Sequence, residues 1–257
     1  MTATASLWRR ELVRFFRQPS RVAGAVGSPL IFWLFIGSGL SGSFRLPGGP
    51  EGLDYLEYFF PGTIALVVLF AAIFSTISII EDRQEGFLQG VLAAPVSRSA
   101  IAAGKVLGGA TLAWIQGVAF LLLAPVAGVE LGVASFLEAA GVVALLALAL
   151  TAIGFAFAWS VDSVQGFHAV MNLVLVPLWL LSGAVFPLTG APGWLSALMR
   201  ADPLTYGVAA LRWALYGPGA SLGDGVPGAG VSLAVLAATG ALAFAADVWV
   251  MRRGRVE

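Results

Sequence analysis

Six apolar stretches of about 20 residues or more constrain this chain more than any other feature of its sequence. A hydrocarbon core of about 30 Å is crossed by about 20 residues of helix, and backbone groups in lipid must find their hydrogen bonds within a helix or a closed barrel. The stretches are too long for the alternating strands of a membrane barrel. The sequence therefore predicts an all-α integral membrane protein with six transmembrane helices. We place these helices at roughly Val22–Gly42, Phe59–Ile80, Val106–Gly128, Val133–Trp159, Ala169–Leu188 and Ala229–Met251.

The composition excludes several other classes of protein. Hydrophobic residues make up 59% of the chain and charged residues only 11%, whereas about 25% charged residues is usual in globular proteins. So few charges cannot cover a water-soluble surface, which excludes a soluble enzyme, a disordered chain and a nucleic-acid-binding protein. The chain has no cysteine and one histidine, so disulfides, thiolate chemistry and a cysteine-ligated zinc site are excluded as well.

The distribution of basic residues predicts the orientation of the chain. With the N-terminus inside, eleven of the 14 Lys and Arg residues fall in inside segments and three fall outside, as the positive-inside rule requires. We therefore expect a multi-pass membrane protein with both termini in the cytoplasm. The preference for Arg over Lys and for Ala and Gly indicates a GC-rich bacterium, and hence the bacterial plasma (inner) membrane. The first apolar run exceeds the 7–15 residues typical of a cleaved signal peptide, which favours a signal anchor.

Residues 6–18 have the pattern of an amphipathic helix that ends before Pro19. The aromatic and leucine side chains share one face and the arginines share the opposite face. The predicted anchor residues are Trp8, Arg10, Leu12, Arg14, Phe15 and Arg17. Such a helix lies flat at a membrane surface, with its aromatic side chains in the acyl boundary and its arginines toward anionic headgroups. A second interpretation is that it also borders a docking site for a cytoplasmic partner.

The longest predicted cytoplasmic loop, residues 81–105, contains a short helix from about Glu85 to Ala93. Its apolar positions Phe87, Leu88, Val91 and Leu92 share one face. Pro95 ends the helix, and a serine at 97 or 99 is suited to cap the next one. An apolar face in the cytoplasm must be covered, either by the spans and headgroups of the same protein or by the groove of a partner. The pattern alone leaves both explanations open.

The outer segment after the fifth predicted span is apolar but is broken by prolines. Within residues 189–217, Pro203 suits the first turn of a helix, with Asp202 as its cap. Short apolar helices interrupted by Pro and Gly are typical of re-entrant elements that shape the outer end of a translocation path. An alternative is an interfacial helix pair anchored by Trp194, Tyr206 and Trp213.

No catalytic arrangement emerges from the remaining polar residues. Ser41 resembles the serine of an intramembrane protease, but it lies at the outer end of its predicted span. The only histidine, His168, lies at the inner end of another span, about 30 Å away. The chain lacks the G-x-x-x-x-G-K-[ST] phosphate-binding loop. Two acidic residues lie in or near spans, Glu138 and Asp247. Because Asp247 lies close to Arg252 and Arg253, we expect it to pair or reach the interface rather than relay protons.

Two separate regions resemble the type-2 ABC exporter permeases, the family that includes daunorubicin-resistance and nodulation-factor export permeases. The first region carries Glu85-Gly86-Phe87-Leu88, Leu92, Ala94-Pro95-Val96-Ser97-Arg98 and Gly104-Lys105. The second carries Leu181-Ser182-Gly183, Phe186-Pro187, Pro192, Trp194-Leu195 and Pro203-Leu204-Thr205-Tyr206. The resemblance extends over the whole chain in span count and spacing. One departure is Asp202, where the family more often has Asn before the proline.

The resemblance implies a single transmembrane permease domain over residues 1–257, without enzymatic activity of its own. It implies export powered by two copies of a cytoplasmic ABC ATPase that binds the ATP and Mg. Because the spans offer few polar groups, we expect a hydrophobic or amphipathic substrate, drug-like or lipid-like. A second permease copy, identical or a sister chain, completes the complex. The implied coupling residues are Glu85, Gly86, Phe87, Leu88, Val91, Leu92, Pro95 and Arg98. The implied outer-gate residues are Ser182, Gly183, Phe186, Pro187, Pro203 and Tyr206.

The rival class is a stand-alone secondary transporter or channel. An internal inverted repeat would favour that class, and the two halves of the sequence show no convincing repeat.

Overall fold

The computed structural model describes residues 2–17, 19–40, 54–188, 190–217 and 225–253. Within these ranges the chain forms eleven α-helices and one short 3-10 turn, with no strand, so the all-α prediction is confirmed. The helices are α1 (Ala3–Phe16), α2 (Pro19–Leu40), α3 (Tyr55–Ser75), α4 (Ile77–Gln84), α5 (Phe87–Ala93), α6 (Arg98–Leu121), α7 (Val133–Ser160), α8 (Val164–Leu181), α9 (Gly193–Ala201), α10 (Pro203–Tyr216) and α11 (Ala229–Arg253).

Five helical segments of the described chain are long and apolar enough to cross a membrane, where the sequence predicted six. They are Tyr55–Gln84, Arg98–Leu121, Val133–Ser160, Val164–Leu181 and Ala229–Arg253. In the first predicted span, Val22–Gly42, the apolar helix Pro29–Leu40 is shorter than a span. The end of that predicted span at Gly42, together with Ser41, lies outside the described residues. The sixth span therefore remains a prediction.

Three of the spans, α3, α6 and α8, begin earlier than the apolar pattern indicated, because capping residues fix where a helix begins. Helix α6 begins after Ser97, whose hydroxyl accepts a hydrogen bond from the backbone N–H of Ala100. It ends at Leu121, just before a 3-10 turn that contains Pro125, since proline cannot continue a helix. Helix α8 begins after Ser163, which caps the N–H of Gly166 at 3.1 Å.

Helices α3 and α4 form the centre of the bundle. They are nearly continuous and are separated at Thr76, whose hydroxyl bonds the carbonyl of Ile73 at 2.6 Å. Most side chains of α3 are buried. An aromatic group made of Trp33, Phe60 and Phe120, with ring centroids 5.5–5.7 Å apart, packs α2 and α6 against this rod.

Helix α1 lies along the first half of α6 at very short range. A Cβ at Gly104 would lie 2.8 Å from the Cβ of Leu7, and a Cβ at Gly108 would lie 2.7 Å from the Cβ of Glu11. The hydroxyl of Thr4 also bonds the carbonyl of Ala100 at 3.1 Å. The two glycines therefore allow an approach that any larger residue would prevent, and this approach brings the charged residues of α1 to α6.

Candidate coupling site

Five charged side chains meet where α1, α4 and α6 come together. We call this group the charged cluster: Arg10, Glu11, Arg14, Asp82 and Lys105. The two terminal guanidinium nitrogens of Arg10, Nη1 and Nη2, donate to the Asp82 carboxylate at 2.7 and 2.6 Å. The ammonium group of Lys105 contacts Asp82 and donates to Glu11 at 2.6 Å. Arg14 adds a bond of 3.1 Å to Asp82.

Burial at Asp82 and Lys105 distinguishes the charged cluster from a set of surface ion pairs. Asp82 is 0% exposed and the Lys105 side chain is 3% exposed. Buried charges are tolerated when each is paired and hydrogen-bonded, and removing one partner then leaves a costly unpaired charge. The hydrogen bond to Asp82 raises the pKa of Arg10 above its ordinary value. The cluster therefore joins α1 to α4 and α6 in this arrangement.

The charged cluster also touches α5, the helix predicted to couple to a partner. The guanidinium of Arg10 lies 3.8 Å from the centroid of the Phe87 ring, within the range of a cation–π contact. Gly86 precedes α5 with φ +75°, a conformation that favours glycine. Arg10 thus connects the first residue of α5 to the carboxylate that also holds Lys105.

The apolar face of α5 is turned mainly toward its own protein. Leu88 is 4% exposed, and Val91 and Leu92 are half-buried and pack against the hydrophobic core. The exposed positions on α5 are Phe87, Gln89, Gly90 and Ala93. Of the two explanations for this apolar face, packing on the chain's own helices accounts for Leu88.

Arg83 and Gln84 join the end of α4 to the turn between α7 and α8. Arg83 donates to the carbonyl of Trp159 at 2.7 Å and to the carboxylate of Asp162 at 3.2 Å. The amide of Gln84 donates to the carbonyl of Asp162 at 2.9 Å. The α7–α8 turn is therefore attached to the same corner of the bundle as α5.

The remaining predicted coupling residues lie around this corner. Glu85 is exposed, 3.7 Å from Arg14 in the described structure, and Pro95 is exposed in the link between α5 and α6. Arg98 begins α6 and is partly buried, and its Nη1 atom has no hydrogen-bond partner. Pro95 and Arg98 therefore border the corner without joining the charged cluster.

The helix predicted for residues 6–18 is present as α1, but two of its arginines differ from the prediction. Arg10 and Arg14 bind carboxylates of the same chain, whereas the pattern predicted that they face lipid headgroups. The short approach of α1 to α6 brings them within reach of Asp82, which sequence spacing does not reveal. Arg17 is exposed, and Gln18 lies outside the described residues.

The apolar residues of α1 are divided between packing and exposure. The indole N–H of Trp8 donates to the hydroxyl of Thr111 at 3.0 Å. Leu12 and Phe15 are half-buried, and Phe16 is exposed. The sequence pattern did not identify Glu11, Asp82 and Lys105 as cluster members, although a charge next to an apolar stretch is itself a signal of a paired or functional group.

The predicted gate residues 182–187 are fastened to the first half of α3. The carbonyl of Gly183 accepts from the hydroxyl of Tyr58 at 3.0 Å and from Arg212 at 2.8 Å. The hydroxyl of Tyr55 bonds the carbonyl of Val185 at 3.0 Å. Gly183 has φ +78°, so the turn after α8 depends on glycine at that position. We call these contacts the loop staple.

The side chains of the other gate residues in this loop are less engaged. Ser182 is buried and bonds the carbonyl of Trp179 at 2.6 Å. Phe186 and Pro187 are half-buried. Trp179 itself donates to the carbonyl of Gly62 at 2.8 Å, which adds a further bond between α8 and α3.

The prediction that Pro203 starts a helix capped by Asp202 is confirmed. Pro203 occupies the first turn of α10, and an oxygen of Asp202 accepts from the N–H of Leu204 at 2.8 Å. Burial raises the pKa of Asp202 to about 7. Tyr206 bonds the carbonyl of Arg200 at 2.9 Å, which ties α10 back to α9. The predicted segment 189–217 therefore contains two short helices, α9 and α10, with Thr189 outside the described residues.

Comparison with known proteins finds transport permeases and nodulation proteins among the relatives of this chain. Nodulation protein J of Rhizobium meliloti (strain 1021) is 27% identical over 210 residues, covering 80% of this chain and 79% of that protein. The inner membrane transport permease YadH of Escherichia coli (strain K12) is 28% identical over 223 residues, covering 84% and 83%. The putative transport permease ycf38 of Cyanophora paradoxa is 26% identical over 211 residues, covering 80% and 72%.

A family model described as ABC-2 type transporter matches residues 2–216. This range runs from the start of α1 to the end of α10, and so includes both the charged cluster and the loop staple. The chain is therefore a multi-pass membrane permease that belongs to the ABC-2 type transporter family.

Proposed function

We propose that this chain is the membrane-spanning permease subunit of an ABC exporter that moves a hydrophobic or amphipathic substrate across the bacterial plasma membrane. The energy comes from ATP hydrolysed by a separate cytoplasmic subunit, which also holds the Mg. The single observation that carries the proposal is the connection of α5 to α4 and α6 through Arg10, Asp82 and Lys105. A permease driven from outside the membrane needs such a mechanical link between its docking helix and its spans.

The docking surface in this proposal is the exposed side of α5 and not its buried side. Gln89, Gly90 and Ala93 are exposed, with Phe87 at the edge of the same side. A Cβ at Gly90 would meet nothing within 4 Å. This side therefore has room for a partner cleft, whereas Leu88 holds α5 on its own bundle.

The proposed mechanism follows the chain of contacts outward from α5. Closure of the ATPase pair on ATP pushes α5, and Arg10 transmits the displacement to Asp82 and thus to Lys105 on α6. Two permease copies then rock about their shared interface and switch access between the two sides of the membrane, as two-state transporters do. The α9–α10 pair and the loop staple lie at the far end of α3, where they would form the outer gate.

The substrate class follows from the polarity of the spans. Many of the exposed large side chains on α2, α8 and α11 are apolar, among them Phe35, Leu173 and Leu242. These faces suit lipid, a second permease copy or an amphipathic cargo better than a small ion. The complex then contains two permease chains, two ATPase copies and bound lipid, with both permease termini in the cytoplasm.

The proposal is tested by placing a charge on the exposed side of α5. The Ala93→Asp variant is expected to lose most ATPase co-purification and permease-stimulated ATP hydrolysis, because a carboxylate would be buried unpaired in the partner cleft. The chain is co-expressed with an ABC ATPase from the same genome and reconstituted in liposomes. Tryptophan fluorescence should show an unchanged unfolding temperature, since Ala93 is exposed.

Ala134→Asp is the matched control, because Ala134 is an exposed alanine in the first turn of α7. It makes the same chemical change far from α5, and it should leave both ATPase assays unchanged. Normal co-purification and normal stimulation by the Ala93→Asp variant would contradict the docking surface. Cargo movement by the permease in liposomes without any ATPase would contradict the whole proposal in favour of a stand-alone transporter.

A further inference from the structure

Asp247 on α11 is a buried carboxyl group without a hydrogen-bond donor. The residue is 0% exposed, and neither carboxyl oxygen has a partner. Each of the other buried charged residues in the described chain has at least one hydrogen-bond partner: Glu11, Asp82, Lys105, Asp202 and Arg212. The expectation that Asp247 pairs with the arginines at the end of its helix is therefore wrong.

The direction of the α11 side chains explains why this pairing fails. Asp247 shares a buried face of α11 with Leu236 and Met251. Arg253 instead stacks on the exposed Trp249, with its guanidinium 4.1 Å from the ring. Arg252 is exposed as well. The basic end of the helix thus lies on a different face from Asp247.

Helices α7, α10 and α6 pack against α11, and none of their titratable groups compensates Asp247. These groups are Glu138 on α7, Tyr206, Arg212 and Tyr216 on α10, and Arg98 and Lys105 on α6. Most of them bind elsewhere: Lys105 to Glu11 and Asp82, and the three α10 side chains to backbone carbonyls. Glu138 is exposed in the first half of α7. The Arg98 Nη1 atom has no partner, so it makes no bond to Asp247.

We propose that Asp247 is a reversible proton-binding site inside the helix bundle. An ionised carboxylate in an apolar interior without a partner is strongly disfavoured, and an acid within a membrane segment is by default a functional group. The carboxylate takes one proton from solvent to form the neutral acid when α11 is seated on its neighbours, and the O–H bond releases that proton when the face opens to water. This proposal does not depend on the partner ATPase or on the exported substrate.

Infrared spectroscopy of the purified full chain in lipid nanodiscs tests the site directly. A protonated carboxyl group has a C=O stretch separate from the carboxylate bands, and deuteration shifts it. At neutral pH we expect this band in the parent protein and its loss in Asp247→Asn. An Asp202→Asn background removes the other buried acid expected to hold a proton near neutral pH. Glu138→Gln, which replaces an exposed carboxyl, is the matched control and should leave the band intact.

Reversibility is tested by cycling the pH within the range where the protein stays folded. The band should weaken as the pH is raised and recover when it is lowered, and the Asp247→Asn variant should lack this change. Should the Asn variant not fold, Asp247→Glu keeps the acid and is expected to shift the band. The proposal would be overturned by an identical acid band in the parent and in Asp247→Asn, or by a band that does not respond to pH. Should Asp247→Asn not fold, it would be overturned by an Asp247→Glu variant whose band is not shifted.

Discussion

The two ends of the α3–α4 rod are held by different chemistry. At the Asp82 end, ionised side chains from three helices bind one another. At the Tyr55 end, Tyr55, Tyr58 and Arg212 bind backbone carbonyls of the loop after α8. Tyr55 and Asp82 are 27 positions apart, which corresponds to about 40 Å of helix, so neither end influences the other directly.

This difference separates a junction that can be rearranged from a joint that is fixed. Ion pairs between side chains depend on charge and register, and they can re-form with alternative partners when helices shift. Hydrogen bonds to main-chain carbonyls hold a particular loop conformation and depend little on salt. Motion that begins at α5 is therefore expected to rearrange the charged cluster first, while the loop staple maintains the shape of the opposite end.

The largest expected effect comes from removing the carboxylate at the centre of the charged cluster. Asp82→Asn leaves the positive charges of Arg10 and Lys105 without their shared anion in a buried site. Breaking a buried ion pair on one side costs about 3–5 kcal/mol of unfolding free energy. Thermal unfolding followed by tryptophan fluorescence should show a large decrease in the unfolding temperature. An unchanged unfolding temperature would mean that the cluster does not hold α1 in place.

The next effect is a pH dependence located at the other end of the molecule. The pKa of Asp202 is about 7 in the folded protein, against about 3.9 in an unfolded chain. Between these two pKa values the folded state binds more protons than the unfolded state. The free energy of unfolding therefore falls as the pH rises from about 4 to about 7 and is constant above that. Asp202→Asn keeps an acceptor oxygen for the cap and removes the charge.

Above pH 7 the Asp202→Asn variant should have a higher free energy of unfolding than the parent. The gain should be less than about 4 kcal/mol, because the pKa of Asp202 differs by about 3 between the folded and unfolded states and each pKa unit corresponds to about 1.4 kcal/mol. The advantage should vanish near pH 4. The measurement is the unfolding temperature of the parent and of Asp202→Asn across this pH range. A variant whose pH profile matches that of the parent would place the titration elsewhere.

A smaller loss is expected when one bond of the loop staple is removed. Tyr58→Phe deletes the hydroxyl that donates to Gly183, but Arg212 still donates to the same carbonyl. Because the Gly183 carbonyl keeps one donor, the free energy of unfolding should fall by about 1 kcal/mol. This loss should be the same at low and at high salt. Tyr206→Phe, at a half-exposed hydroxyl, is the control with a smaller cost. Salt-dependent destabilisation by Tyr58→Phe would remove the contrast between the two ends.

The smallest effect is expected at the exposed ion pair beside the charged cluster. Asp162 is 97% exposed and lies 3.2 Å from Arg83. Exposed ion pairs contribute about 0–1 kcal/mol, and Arg83 keeps its bond to the carbonyl of Trp159. Asp162→Asn should therefore shift the unfolding temperature by little at low salt and not at all at high salt. A loss as large as that of Asp82→Asn would show that burial does not separate the two pairs.

Most of the helical architecture was predictable because it depends on local pattern. Hydropathy over 20-residue windows located the long helices, and Pro203 with Asp202 located the start of α10. Helix ends needed a second signal: the apolar pattern alone placed the third span at Val106, whereas the predicted serine cap, confirmed at Ser97, sets the start of α6 at Arg98. Capping is a local interaction, but hydropathy does not record it.

The site required the tertiary structure. Glu11, Asp82 and Lys105 are far apart in the sequence, and they meet only because Gly104 and Gly108 let α1 approach α6. The same contacts turned Arg10 and Arg14 away from the predicted headgroups. Leu88 fits the apolar pattern of α5, but its burial depends on how α5 lies on the bundle.

The sequence by itself determined that this chain is helical and membrane-embedded, and in which regions its polar residues are concentrated. Hydrophobicity and helical periodicity are properties of short segments, so they can be read without knowing which helices touch. The tertiary structure alone decided which charges are paired, as Asp82 is, and which are not, as with Asp247. Pairing depends on distances between helices remote in the chain, and a single sequence contains no measure of those distances.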